Sequence, residues 1–185
     1  MNNNTMEQMN TLEQMNTLEQ MNTLEQIETR KQEQLTCMVS DEQLSEHFRL
    51  SEFTHSITAQ RLGLKNEPDY QQRLALRHLC QEVLEPLRRH WGHPIRVTSG
   101  FRSIRLNHAV GGVGQSQHLL GEAADLSVPS EQVAREWFEW IVRHTDFDQL
   151  LFEHSALMKN RWLHVSCRWQ REKNRHLALF NYKAR

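Results

Sequence analysis

The sequence predicts an α+β domain preceded by a tail of different composition. Two stretches, residues 68–91 and 130–145, have the apolar spacing of amphipathic helices. Two others, EAADLSV at 122–128 and WLHVSC at 162–167, alternate between the two faces of a strand. Because these helices and strands do not alternate strictly along the chain, they favour an α+β arrangement. The 185 residues are enough for one domain with a buried core once the tail is set aside.

The tail repeats the hexapeptide MNTLEQ, and apolar residues recur at every third position from Met6 to Ile27. An α-helix turns about 100° per residue, so this stripe would circle the helix instead of facing one partner. A coiled coil would need steps that average about 3.5 residues. We therefore expect residues 1–42 to be a disordered tail or a weak, solvated helix, with a self-associating helix as the alternative. Residues 43–185 should form the functional domain.

The first elements of this domain can be placed from local signals. DEQLSEHFRLSEF (41–53) contains a helix start and a loop, and residues 68–91 form the clearest helix. Pro86 lies inside that helix, where we expect a kink or an interrupted last turn because proline lacks a backbone N–H. HPIRVTSGF (93–101) then predicts a strand and a turn.

The later elements follow the same logic. Ser130 is placed to cap the helix of residues 130–145. Its core face carries Trp137 and Trp140, which we interpret as packing residues. FDQLLFE (147–153) has the pattern of a strand. The basic cluster RWQREKNRH that ends at residue 176 is interpreted as a solvated surface.

Three residues could hold a metal ion. Asp125 lies on one face of the first alternating strand, and His164 lies on one face of the second. If the strands are adjacent, these two side chains meet, and His118 closes the site from a loop or helix end that Gly121 frees to turn. Two imidazoles and one carboxylate leave a fourth position open for water, as in catalytic zinc sites. We expect one Zn²⁺ per chain, although this ligand set accepts other divalent ions.

Five blocks of the sequence, taken together, resemble the peptidase M15 family. They are SGFRS (99–103), LNHAVGG (106–112), SQHLLGEAAD (116–125), FDQLLFE (147–153) and WLHVS (162–166). The pattern S-x-H-x-x-G-x-A-x-D is matched at Ser116, His118, Gly121, Ala123 and Asp125. The resemblance extends over roughly residues 43–180. The family includes zinc D-alanyl-D-alanine carboxypeptidases, dipeptidases and phage-type peptidoglycan endopeptidases. The resemblance implies its fold, a small antiparallel sheet with flanking helices.

The resemblance also implies roles for residues around the metal. A zinc ion would act as a Lewis acid and make hydroxide available near neutral pH. Arg102, in SGFRS, matches the arginine that the family places near the substrate, where a guanidinium can bind a carboxylate or an oxyanion. Ser116 could bind the substrate or orient its loop.

The identity of the general base is less clear from the sequence. Several family members carry an acidic residue three positions before the last histidine, where this chain has Arg161. Glu153 is the substitute that we expect, because it ends a strand and could take a proton from the attacking water. Glu122 and His154 are the alternatives.

Composition excludes some classes of partner. The net charge of −1 gives no indication of affinity for nucleic acids or anionic membranes, and no apolar run of 18 residues could span a membrane. The N-terminus lacks the features of a secretory signal, so we expect a cytoplasmic protein that is released to the cell wall, encoded by a phage or prophage. We expect a monomer.

The sequence therefore predicts a zinc-dependent peptidase that cuts peptidoglycan stem peptides near a D-amino acid. It would act as a carboxypeptidase or as an endopeptidase of the lysin type. One alternative is a cell-wall-binding module that keeps the fold and the zinc but has lost catalysis, as Arg161 at the usual acidic position suggests. Another is a structural protein that assembles through the repeats.

Overall fold

The computed structural model describes residues 41–154 and 161–183. The chain divides into two compact units, Met1–Glu42 and Gln43–Arg185. Nearly all of the first unit lies outside the described residues, so the prediction of a disordered repeat tail stays a prediction. Within the described ranges, no helix is both long and apolar enough to cross a membrane.

A five-stranded sheet with the order β1-β2-β4-β3-β5 organises the second unit. Its strands are β1 (Val97–Ser99), β2 (Ala123–Ser127), β3 (Gln149–His154), β4 (Arg161–Ser166) and β5 (Leu177–Lys183). The pairs β1–β2, β2–β4 and β3–β4 are antiparallel. This confirms the predicted α+β class and the small sheet.

The fifth strand corrects one detail, because β5 runs parallel to β3 and the sheet is not wholly antiparallel. The last residue of β4, Ser166, lies opposite the first residue of β3, Gln149. The chain then crosses a short 3-10 helix, Arg171–Lys173, and starts β5 at the same end of the sheet, on the other side of β3. Because β4 and β5 flank β3 and run opposite to one another, β5 has the direction of β3.

Six α-helices accompany the sheet in the described residues. They are α1 (Leu50–Thr54), α2 (Ile57–Arg61), α3 (Tyr70–Leu79), α4 (Glu85–Trp91), α5 (Ile104–Ala109) and α6 (Glu131–His144). A π-helical turn, Cys80–Leu84, joins α3 to α4, so the long helix predicted from the sequence is present with an interruption. The interruption lies before Pro86 and not in the last turn. A wider turn suits that position because proline cannot donate to the helical hydrogen-bond ladder.

The core lies on one face of the sheet. The apolar residues of β2 and β4, such as Leu126 and Leu163, are fully buried there together with Trp137 from α6. Trp140, expected on the same face, is only partly buried and packs at the edge of the core. Ser130 accepts a hydrogen bond from the backbone N–H of Val133 and caps α6 as expected. The alternating strands leave the opposite face of the sheet for polar side chains.

Candidate active site

The three predicted metal ligands meet on the polar face of the sheet. Asp125 of β2 and His164 of β4 are directly opposite one another, and a 3-10 helix, Gln117–Leu120, brings His118 beside them. Asp125 Oδ1 lies 2.8 Å from His164 Nδ1 and 3.3 Å from His118 Nε2. All three side chains are buried. Adjacent strands therefore do bring these residues together, as the alternation suggested.

The orientation of His118 is fixed by the backbone. Its Nδ1 lies 2.6 Å from the carbonyl oxygen of Gly100. A carbonyl can only accept, so Nδ1 carries the proton and donates, and Nε2 is the nitrogen that faces Asp125 and can bind a metal ion once it is deprotonated. Gly121 follows with φ of +74°, a left-handed conformation that favours glycine, and a Cβ there would overlap the backbone carbonyl of Gln72 in α3. The glycine of the motif thus permits α3 to hold the His118 turn closely.

Arg102 contacts two of the predicted metal ligands. Its Nη2 donates to Asp125 Oδ2 at 2.7 Å, and its Nε donates to Ser99 Oγ at 2.8 Å. Its backbone N–H also donates to the carbonyl of His118 at 3.1 Å. We expected the partner of Arg102 to be the substrate; the structure adds that the guanidinium holds one oxygen of Asp125 and leaves the other, Oδ1, for the imidazoles. Carboxylates that ligate metals are commonly oriented in this way.

These contacts set the charge of the site. Burial acts to raise the pKa of Asp125, but the imidazoles of His118 and His164 outweigh it and hold the pKa of that carboxyl far below its usual range. Burial lowers the pKa of His118, although Asp125 partly opposes the shift. Both shifts favour an ionised carboxylate and a neutral imidazole, which are the protonation states that bind metal ions.

The donor set fits a tetrahedral zinc ion. Ligands at about 2.0–2.1 Å from zinc stand about 3.3 Å apart in a tetrahedron. The separation of His118 Nε2 and Asp125 Oδ1 is already 3.3 Å, and that of His164 Nδ1 and Asp125 Oδ1, 2.8 Å, needs to open by about half an ångström. The nitrogen and oxygen donors are types that zinc accepts, and three of them leave one position open.

Glu153 lies on the same face of the sheet. Leu151 is the residue of β3 opposite His164, and Glu153 follows two residues later with its side chain on the same side. The carboxyl is half-buried, and burial raises its pKa above the usual range; Asp125 adds to the shift, while His164 and Arg102 oppose it. A carboxyl with a raised pKa beside a metal site has the properties of a general base.

The other residues considered for catalysis have different surroundings. The exposed side chain of Arg161 donates to Glu131 of α6 at 2.6 Å. Glu122 accepts a hydrogen bond from the backbone N–H of Trp169 at 3.0 Å. The side chain of Ser116 does not cap the 3-10 helix that begins beside it. The side chain of His154 lies outside the part of the chain that the structure describes.

Sequence reasoning missed a residue that braces the Arg102 loop. The amide of Asn66 is buried, donates to the carbonyls of Thr54 and Phe101, and accepts from the backbone N–H of Ser103. These three bonds tie the end of α1 to both neighbours of Arg102. No pattern in the sequence indicates this role, because Asn66 lies in a loop and its partners are 12 and more residues away.

Comparison with known proteins identifies the family of the chain. A family model described as Peptidase M15 matches residues 46–166, which include His118, Asp125 and His164. The chain belongs to the peptidase M15 family. The family predicted from the sequence is thereby confirmed.

A curated relative is similar over a shorter stretch. The zinc D-Ala-D-Ala carboxypeptidase of Streptomyces albus G is 50% identical over 38 residues, which are 20% of this chain and 15% of that protein. The match therefore spans only a small part of the relative, and its substrate is not transferred to this M15 chain on identity alone.

Proposed function

We propose that this M15 peptidase hydrolyses peptide bonds of peptidoglycan stem peptides, next to a D-amino acid, with one zinc ion per chain. The observation that carries the proposal is the convergence of His118, Asp125 and His164 on the polar face of the sheet, with Glu153 on the same face. The name of the Streptomyces relative supports a substrate that contains D-alanine.

His118 Nε2, Asp125 Oδ1 and His164 Nδ1 are the atoms that would hold the metal. A bound zinc ion would polarise the substrate carbonyl and lower the pKa of water to about 7. Other protein groups orient two of these atoms. His118 presents Nε2 because the Gly100 carbonyl holds its Nδ1 proton, and Asp125 presents Oδ1 because Arg102 holds Oδ2.

Glu153 is the proposed general base. Its carboxylate would take a proton from the attacking water while the water oxygen bonds to the carbonyl carbon. The same carboxyl would then give the proton to the amine nitrogen as the C–N bond breaks. The raised pKa of Glu153 suits both steps, because the group must gain and lose a proton near neutral pH.

Arg102 is proposed to stabilise the oxyanion that forms on the carbonyl oxygen. A guanidinium has five N–H donors, and Ser99 and Asp125 engage two of its nitrogens. The remaining donors can serve the substrate, and the charge of arginine is permanent. Ser116 is proposed as a further substrate contact.

The experiment is digestion of purified peptidoglycan by the zinc-loaded protein, with the released muropeptides identified by mass spectrometry. We expect a single type of peptide bond to be cut, and the products distinguish a carboxypeptidase from an endopeptidase. Glu153→Gln should keep its zinc and lose about 10²–10⁴-fold in turnover, because the amide has the same shape and cannot accept a proton.

Glu122→Gln is the matched control, since Gln can still accept the hydrogen bond from Trp169. If Glu122→Gln loses turnover and Glu153→Gln keeps it, the base has been assigned to the wrong residue.

A non-catalytic cell-wall-binding module is the second candidate, and Arg161 at the position of the usual acidic residue favours it. The same digestion tests this candidate. A protein that retains zinc and sediments with peptidoglycan, yet releases no muropeptide at any enzyme concentration, would be such a module.

A further inference from the structure

A pocket of about 590 Å³ adjoins the site on the side of β1. Arg102, which holds Asp125 in place, and its partner Ser99 form part of its wall, so the pocket lies next to the predicted metal ligands. The rest of the wall comes from α1, the start of α2 and the segment between them, β1 with the residue before it, and α5. None of the three metal ligands lines it, and so it is a space beside the reacting centre.

The pocket has the size of a ligand site. Ligand pockets in proteins are typically about 300–1,000 Å³, and 590 Å³ lies within that range. Because none of the predicted metal ligands lines the pocket, a substrate that fills it extends beyond the cleaved bond.

The wall has both charge and apolar surface. Arg96 is exposed just before β1, and its backbone carbonyl is held by the N–H of Ser127 at 2.9 Å. The guanidinium of Arg102 is already paired with Asp125, and the carboxylate of Glu52 keeps its negative charge. Of the two guanidiniums in the wall, that of Arg96 is therefore the one placed to pair with a carboxylate of an occupant.

Two large apolar side chains of the wall are open to solvent. Ile57 is 75% exposed and Val110 is 44% exposed. Neither packs into the core, and a peptide with methyl side chains would cover them. The two features of the wall, cationic and apolar, describe a peptide that has small apolar side chains and a free carboxylate.

We infer that this pocket binds the stretch of stem peptide that adjoins the cleaved bond, with Arg96 paired to a carboxylate of that stretch. The inference rests on the proposed function and makes it more specific. The protein acts on long stem peptides or cross-linked muropeptides in preference to a free dipeptide, because a dipeptide bound at the metal ligands leaves this neighbouring pocket unfilled.

The test uses two probes that share the bond identified by mass spectrometry, an N-acetylated dipeptide derivative and a muropeptide of five or more residues. The wild type should have a kcat/KM at least about tenfold higher for the muropeptide, which corresponds to about 1.4 kcal/mol. Arg96→Ala should remove most of this advantage and leave the dipeptide unchanged. Arg105→Ala is the matched control, because Arg105 is also exposed but lies outside the pocket wall. Equal kcat/KM for the two probes, or an equal loss on both in Arg96→Ala, would overturn the inference.

A variant that fills the pocket gives an independent check. Thr58 of α2 lines the pocket, whereas Gln60 of the same helix is exposed and does not. Thr58→Trp should raise KM for the muropeptide about tenfold and leave the dipeptide unchanged, and Gln60→Trp should change neither. If Thr58→Trp has no effect on the muropeptide, the substrate does not enter this pocket.

Binding separates failure of this inference from failure of the proposed function. Should no probe be hydrolysed, calorimetry with the same muropeptide still reports on the pocket. About tenfold weaker binding to Arg96→Ala than to the wild type would then support the pocket and contradict catalysis. No binding to the wild type, or equal binding to Arg96→Ala, would reject the pocket in either case.

Discussion

Two buried carboxylates of this sheet, Asp125 and Asp148, show how the same group can serve a site or a scaffold. Both have pKa values below the usual range of an aspartate side chain, and each lies in a strand of the sheet or directly beside one. Asp148 is fully buried just before β3, and its oxygens accept from Arg168 Nε at 2.9 Å and from Arg175 Nη2 at 2.5 Å. Asp125 has one arginine and two imidazoles.

The difference lies in the partners. The guanidiniums around Asp148 are permanently charged and can only donate hydrogen bonds. They occupy both oxygens of the carboxylate and leave no lone pair that a ligand could use. The imidazoles around Asp125 can lose their protons and present lone pairs that converge with Oδ1. In this sheet, the carboxylate enclosed by arginines holds the scaffold together, and the one beside two imidazoles is the predicted metal ligand.

The largest expected effect is on stability, at the scaffold carboxylate. Asp148→Asn removes the charge that holds Arg168 and Arg175, and breaking a buried ion pair typically costs about 3–5 kcal/mol. We expect about 3 kcal/mol, because both arginines are partly exposed and can turn to solvent. Urea denaturation of the metal-free protein measures the change in the free energy of unfolding. A change below about 1 kcal/mol would mean that the pair contributes no more than a surface ion pair.

The second effect is on zinc affinity, at the site carboxylate. Loss of residues that merely orient a ligand typically weakens metal binding about 10–100-fold, so Asp125→Asn, which replaces a ligand, should weaken it by more than about 100-fold. Asp148→Asn should bind zinc like the wild type. Competition with a chromophoric chelator measures both affinities, and elemental analysis should find one zinc per chain in the wild type. If Asp125→Asn and Asp148→Asn lose zinc equally, the proposed difference in role between the two carboxylates is wrong.

The sequence predicted one of these carboxylates and not the other, for a physical reason. Asp125 and His164 lie in strands whose side chains alternate between the two faces, so the alternation alone predicts which face each occupies. The sequence motif then indicated His118 as the third candidate ligand. Asp148 is also in a strand-like block, but its partners lie 20 and 27 residues further on, in a connection with no periodicity. That connection was interpreted as solvated surface. Most of it is exposed, but the sequence did not indicate that the guanidiniums of Arg168 and Arg175 also bind the buried Asp148.

The same reasoning explains the other differences between sequence and structure. The parallel direction of β5 follows from the path of residues 167–176 around Asp148, which no local pattern encodes. The tie between Arg102 and Asp125 is a tertiary contact over 23 residues, and the motif indicated only that the arginine is near the substrate. Local patterns predicted the two long helices and the strands β1 to β4, and with the motif they indicated the three candidate metal ligands. The short helices α2 and α5, the strand β5 and the contacts made by loops required the structure.

The smallest expected effect is the dependence of stability on pH, and it isolates the charge of Asp148. Burial acts to raise the pKa of this carboxyl, but hydrogen bonds from Arg175 and Arg168 outweigh it and lower the pKa from 3.8 to about 2 in the folded protein. A group with a depressed folded pKa stabilises the fold above its unfolded pKa, and that stabilisation is lost as the pH falls towards the folded value.

The free-energy difference between the wild type and Asp148→Asn should therefore be constant above about pH 5 and shrink by about 2 kcal/mol between pH 5 and pH 2. Asp125 has a depressed pKa as well, but it is present in both proteins, so its contribution cancels in the difference. Urea denaturation at a series of pH values, with a chelator present to exclude metal, measures the curve. A difference that stays constant down to pH 2 would show that Asp148 contributes through shape and hydrogen bonding alone, and its contrast with Asp125 would then no longer rest on charge.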